Sequence, residues 1–359
     1  MATEPGTATA APVTATGPPT ATYRTDLVTV LLSAWFTVGL FLDAWAHNNV
    51  PRLETFFTPW HAVFYSGFLA TAAWIAWTVR GVAQSGRPAI PRGYEPAALA
   101  VLGFAFFGVC DAAWHTVFGI EQNINILFSP THLGLAASML VIITTPLRSA
   151  PVGPAPGLRR LLPAVLSTAL ATAMVLLFLQ YANAFAYRPE GVIFAMSGVD
   201  ESFTAQLVSA MAVTSLVLVV PLLALARRWR LPFGLATATY ASAAGLSCAV
   251  TGFRNVPLVI GLLASGVGAD LLARWLRPAP DAPGRYRLFA ALVPLLIWTV
   301  YLAVAYAVAG SVHIVPVPGG HPERGVELYT GTPLVQALLG VLAAVLLAPR
   351  FRGVRPAAP

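Results

Sequence analysis

Lysine is absent from this chain of 359 residues; all 21 basic residues are arginine. Charge of either sign is scarce, at 10% of residues against 57% hydrophobic, and mean hydropathy is +0.73. That balance excludes an ordinary soluble domain, whose water-facing surface needs far more charge. Cysteine is nearly absent. The two present, Cys110 and Cys248, both fall in apolar segments, which excludes a disulfide framework and reads as two small buried side chains. No GxSxG elbow, P-loop, HExxH or CxxC occurs, so the chemistries that depend on those motifs have no foothold. The first 23 residues, rich in Ala, Thr, Pro and Gly, lack the basic start and apolar stretch of a cleavable signal peptide. They read as a disordered tail, leaving the first membrane helix as the insertion signal.

What the chain does have is apolar length. A membrane-crossing helix needs about 20 apolar residues, and about ten segments qualify: roughly 26–47, 60–80, 96–117, 131–147, 161–186, 204–226, 231–251, 256–276, 286–310 and 333–349. The fold class is therefore all-α, a polytopic transmembrane helical bundle. It divides into the tail (1–23), a region of four helices (24–150), the remaining bundle (151–350) and a short tail (351–359). Arginines crowd alternate loops, as at Arg80, Arg87 and Arg92, at Arg148, Arg159 and Arg160, and at Arg227, Arg228 and Arg230. The positive-inside rule makes these loops and both termini cytoplasmic. The intervening loops hold fewer arginines and several acids, including Glu54, Glu121, Glu190 and Asp200. Charge spread over short loops is no nucleic-acid footprint, so the formal net charge of +7 implies no nucleic-acid partner. The surroundings it implies are a lipid bilayer.

A pattern recurs within the first four segments. Asp43-x3-His47 corresponds to Asp111-x3-His115, Glu54 to Glu121, and Phe57-Thr58-Pro59-Trp60-His61 to Phe128-Ser129-Pro130-Thr131-His132. The order is kept although the loops differ in length, with 13 residues between His47 and His61 and 16 between His115 and His132. The reading is a duplicated helical hairpin. Asp and His at i and i+4 share a helix face. Thr58 and Ser129 suit the N-cap and Pro59 and Pro130 the first helical position, which puts His61 and His132 in the first turn of the next helix. Each hairpin then gathers one aspartate and two histidines. All six histidines, with His313 and His321 in the loop before the last segment, fall on the predicted outer side.

Imidazole and carboxylate together suit transition metals. The expected ligands are Asp43, His47, His61, Asp111, His115 and His132, with His313 and His321 as possible additions, in a mono- or dinuclear site near the outer face. Glu54 and Glu121 are candidate catalytic residues, as bridging groups or bases. The blander reading is a polar cluster that locks the four helices together. Aromatic residues around the pattern, among them Trp45, Trp60, Tyr65 and Trp114, fit an interfacial belt and equally the walls of an apolar pocket. Gly- and Ala-rich pieces at 241–247 and 261–268 read as close helix packing, and Asp270 is expected to pair with Arg274 one turn on.

An Asp-x3-His near a helix end followed by a further His resembles the metal site in the C subunit of copper membrane monooxygenases. The resemblance covers only these stretches, and here the spacing is longer and the motif doubled. It implies Asp43, His47 and His61, or Asp111, His115 and His132, as a ligand triplet, with Cu or Fe favoured over Zn or Mn. The leading expectation is a membrane metalloprotein, an oxidoreductase of monooxygenase type acting on a small or lipophilic substrate. The alternative is a transporter or channel for metal ions or a small solute, since transporters often contain repeats. A sensor or assembly subunit is a third class, for which the sequence offers no effector domain.

Overall fold

The computed structural model describes residues 19–50, 58–83, 90–119, 121, 123–151, 157–311 and 325–347. Residues 1–18 of the expected N-terminal tail, the expected tail 351–359, Glu54, His313 and His321 lie outside the described residues. Within them every regular element is helical. Two antiparallel hairpins come first, α1 (Tyr23–Asn49) with α2 (Pro59–Ala83) and α3 (Tyr94–Phe118) with α4 (Pro130–Ile143), followed by a short α5 (Thr145–Ser149). The rest comprises α6 (Leu158–Phe178), a short α7 (Pro189–Ala195), α8 (Glu201–Ala226), α9 (Leu235–Val250), α10 (Val256–Leu276), α11 (Pro283–Ala309) and α12 (Val326–Leu347). Eight of these are long and apolar enough to cross a bilayer, and side chains such as Leu69, Phe106, Val109 and Leu338 lie exposed on their outer faces. An apolar exterior of that extent is at home in lipid. The protein is a multi-pass membrane protein.

Each hairpin is closed by glycine. A Cβ at Gly39 on α1 would come within 2.7 Å of the Phe64 Cα on α2, and one at Gly67 within 2.7 Å of the Phe36 Cα. The two backbones therefore touch, as small residues allow in membrane helices. On the second hairpin, Phe107 of α3 lies over Gly134 of α4, whose added Cβ would sit 2.3 Å from the ring. One apolar core, with Phe36, Phe64, Phe68 and Phe104 at its centre, fills the four-helix region and reaches α6 through Leu170 and Met174. A second, larger core fills the space among α6 to α12. α1 joins the two by packing on both α6 and α9.

The apolar segments largely match the helices, with three differences. The segment 161–186 ends as a helix at Phe178, and Gln180–Ala182 and Ala184–Ala186 form single 3-10 turns. The cause is Asn183: fully buried, it accepts from the Phe185 N–H and donates to Ser247 Oγ at 3.2 Å, offering the backbone an alternative to the helix. The segment 131–147 breaks after Ile143, where Pro146 cannot donate to the carbonyl of Ile142 and Thr145 Oγ1 donates to it instead. The segment 231–251 starts as a helix only at Leu235, after Pro232 and a left-handed Gly234 (φ 96°). Asp270 supplies the cap there. Its oxygens accept from the Ala236 and Thr237 amides and the Thr237 hydroxyl, so the group that meets this carboxylate is a helix N-terminus, in place of the expected Arg274.

Candidate metal centre

The ends of α1 and α3 and the starts of α2 and α4 lie at one end of the bundle, and the described histidines are all there. Local sequence chemistry sets them. Thr58 Oγ1 accepts from the His61 amide at 3.1 Å, and Ser129 Oγ accepts from the His132 amide at 3.3 Å. Each is a helix N-cap with proline next, fixing the histidine in the first turn. One turn from the ends of α1 and α3, Asp43 and His47, and Asp111 and His115, share a face.

Antiparallel closure then converges each set. In the first hairpin Asp43 Oδ2 lies 3.7 Å from His47 Nε2 and 3.4 Å from His61 Nε2. In the second, Asp111 Oδ2 lies 3.4 Å from His115 Nε2 and Asp111 Oδ1 3.2 Å from His132 Nε2. Within each triad one ligand atom per residue lies within 4.8 Å of the others. Metal bonds of about 2.0–2.2 Å to imidazole nitrogen and carboxylate oxygen put neighbouring ligand atoms roughly 2.9–3.6 Å apart. Separations of 3.4, 3.4 and 3.2 Å fall within that range, and the fourth, Asp43 to His47 at 3.7 Å, lies just beyond it.

The second triad also fixes its ring orientations. His132 Nδ1 is 2.7 Å from the carbonyl of Ile126. His115 Nδ1 is 3.3 Å from the carbonyl of Gly119 and 3.2 Å from Glu121 Oε2. Carbonyls only accept, so Nδ1 of His132 carries a proton, and Nε2 is the ring atom turned toward Asp111. Thr131, buried beside it, donates its hydroxyl to Asp111 Oδ1 at 2.7 Å. A histidine held by its other nitrogen and a carboxylate held by a hydroxyl are the outer supports that metal ligands ordinarily have.

One cavity of about 390 Å³ is lined by Asp43, His47, His61, Asp111 and His132, which is every residue of the two triads except His115. The end of α6 completes the wall with Leu177 and Phe178, followed by Gln180 and Tyr181, and Val250 at the end of α9 adds to it. Asn49 Nδ2 bonds the Val250 carbonyl at 3.2 Å, tying α1 to α9 beside the site. The later helices thus share in the cavity. Of the two expected glutamates, Glu121 lies against His115, outside the cavity lining.

Several partners left no mark in the sequence. Thr131 was visible only as a filler between Pro130 and His132; a hydroxyl one residue before the histidine is the signal that could have found it. The Ile126 and Gly119 carbonyls have no side-chain signature at all. Gln180 and Tyr181 are brought in by tertiary packing alone. No protein-family model matches the chain, and neither a curated protein nor a solved structure shows significant similarity to it.

Proposed function

We propose that this protein is an integral membrane metalloprotein holding two transition-metal ions in one cavity, one on each Asp-His-His triad, and that it is an oxidoreductase. The observation that carries the reading is the convergence, twice over, of one aspartate and two histidines whose ligand atoms lie within 4.8 Å of one another. In the second triad the Nδ1 proton of His132 is directed to a backbone carbonyl while Nε2 faces a carboxylate oxygen 3.2 Å away, so the nitrogen that would bind a metal is already turned to the carboxylate that would share it. Two histidines and one carboxylate with open positions form the donor set of non-haem iron oxygenases, and imidazole with carboxylate equally suits copper. A redox-active ion in this place would supply oxygen activation. The chain's own residues hold it: Asp111 and Asp43 bring the negative charge, the histidines bring neutral nitrogen, and Thr131, Glu121 and the two carbonyls fix their directions. The apolar walls keep bulk water from the reacting centre. The matching order of residues in the two hairpins supports a duplication, and the arginine distribution supports placing the site at the outer face.

The packing beneath the cavity favours an enzyme over a transporter. Phe36 stacks on Phe64 at 5.2 Å and meets Phe104 edge-on at 5.0 Å, and Phe68 lies 4.3 Å from Phe104. This aromatic layer belongs to the apolar core that extends toward the arginine-bearing end, whereas a conduction path needs polar groups along the span.

The test is made on iron- or copper-loaded protein in nanodiscs with a chemical reductant. Oxygen consumption is expected, and His132→Ala should abolish it. Metal-ion flux into reconstituted vesicles without oxygen consumption would contradict the oxidoreductase reading.

A further inference from the structure

A second concavity adjoins the metal-facing cavity, in a part of the molecule read as spanning the membrane. α2 packs tightly on α1 and α3 on α4, but α2 and α3 touch only sparingly. Their seam holds a groove of about 830 Å³ that runs from Thr58 and Pro59 at the site end to Leu69 and Ala105. At 1.5 Å per residue, the eleven steps from Thr58 to Leu69 cover roughly 16 Å, about half the apolar thickness of a bilayer. The groove exists because α3 presents Ala105, Gly108 and Ala112 to it. At i, i+3 and i+7 they share one helix face, and their small side chains leave a trough that α2 does not fill. Leu69 and Val109 on its margins are 64% and 73% exposed, within segments that span the membrane. What covers this face is therefore lipid.

Three residues line both the groove and the cavity: His61, Tyr65 and Phe104. Tyr65 rests over Gly108, where an added Cβ would lie 3.6 Å from its ring, and its ring centre is 6.1 Å from that of His61. The apolar trough thus leads past Tyr65 to a histidine of the first triad. Asn48, Gln180 and Tyr181 bring polar groups to the cavity lining at the end of the bundle.

Resting on the proposed metal reading, we infer that the substrate is an apolar, alkyl-chain-like molecule dissolved in the bilayer, and that it reaches the metal-facing cavity sideways through the α2–α3 seam. Tyr65 and Phe104 form the threshold between trough and cavity. Water-soluble molecules are discriminated against by the route itself, before any contact with the ligands.

The experiment uses the full chain in lipid nanodiscs and two photoreactive probes, an apolar phenyl diazirine and its sulfonated, water-soluble counterpart. The readout is labelling, by peptide mass spectrometry, of Leu135 and Met139, which line the cavity and are shielded from the exterior. In the wild type the apolar probe should label this segment at least tenfold more than the sulfonated one. Gly108→Leu and Ala112→Phe, which fill the trough, should each cut apolar labelling at least fivefold. Leu102→Trp, on the lipid-exposed surface of α3 outside the trough, should leave it unchanged. Equal labelling by both probes in the wild type overturns the inference, and this comparison stands even if a filled variant fails to fold. Undiminished labelling in folded, filled variants overturns it as well. Metal content is measured on the same samples. Bound metal with no apolar labelling sinks the lateral route alone, and apolar labelling without metal sinks the metal reading while the route survives.

Discussion

The two hairpins carry the same residue types in the same order, yet they hold them differently. In the second, the side chains of Asp111 and His115 are 3% and 6% exposed and that of His132 18%, whereas in the first those of Asp43, His47 and His61 are 13%, 14% and 14% exposed. Asp111 receives Thr131 as well as two histidines, and both its histidines are braced through Nδ1. Asp43 faces its histidines at 3.4 and 3.7 Å, and the loop of that hairpin, with Glu54, lies outside the described residues. The local code of cap, proline and i,i+4 spacing delivers a triad in either case. Pre-organisation comes from what surrounds it. The second triad is the built, tightly held site. The first has the more exposed aspartate, and its His61 also lines the membrane-facing groove.

That contrast can be broken most sharply at the aspartates. Asp111→Ala strands two histidines and a threonine hydroxyl in a buried setting, so it should remove the second metal and cost roughly 3–5 kcal/mol of stability, the order seen when a buried charged network loses one partner. Asp43→Ala should remove the first metal with a much smaller change in melting temperature. Elemental analysis and thermal unfolding of the two variants side by side check the difference. Gly39→Leu comes next. It drives a side chain into the Phe64 backbone at about 1–3 kcal/mol, the usual cost of overpacking. It should open the first hairpin and lose its metal while the second is kept. Thr131→Val removes an outer support and should weaken the second site about tenfold, seen in competition with a chelator, leaving the first unaltered. Glu121→Gln should have the smallest effect, below tenfold on the same site, because the Gly119 carbonyl still faces His115 Nδ1.

Much of this was legible in the sequence because it is local. Apolar length located the long helices, and Thr58-Pro59 and Ser129-Pro130 announced the starts that place His61 and His132. The i,i+4 spacing announced the shared faces of Asp43 with His47 and Asp111 with His115. What was not legible is long-range or made of backbone. Composition stays apolar past Phe178, so the turns at Gln180–Ala186 were hidden until Ser247 gave Asn183 its partner. Asp270 points to a helix start 34 residues earlier in the chain, which no i,i+4 rule reaches. The seam between α2 and α3 depends on side chains that are missing, and nothing in the sequence marks out Ala105, Gly108 and Ala112.

The central claim is that each hairpin carries its own metal. Its most direct test is the metal-to-protein ratio of the purified chain, grown with iron, copper, manganese and zinc, for the wild type, His61→Ala, His132→Ala and the double variant. The account predicts two, one, one and none. A wild type without metal, or single variants that each lose everything or nothing, would contradict it.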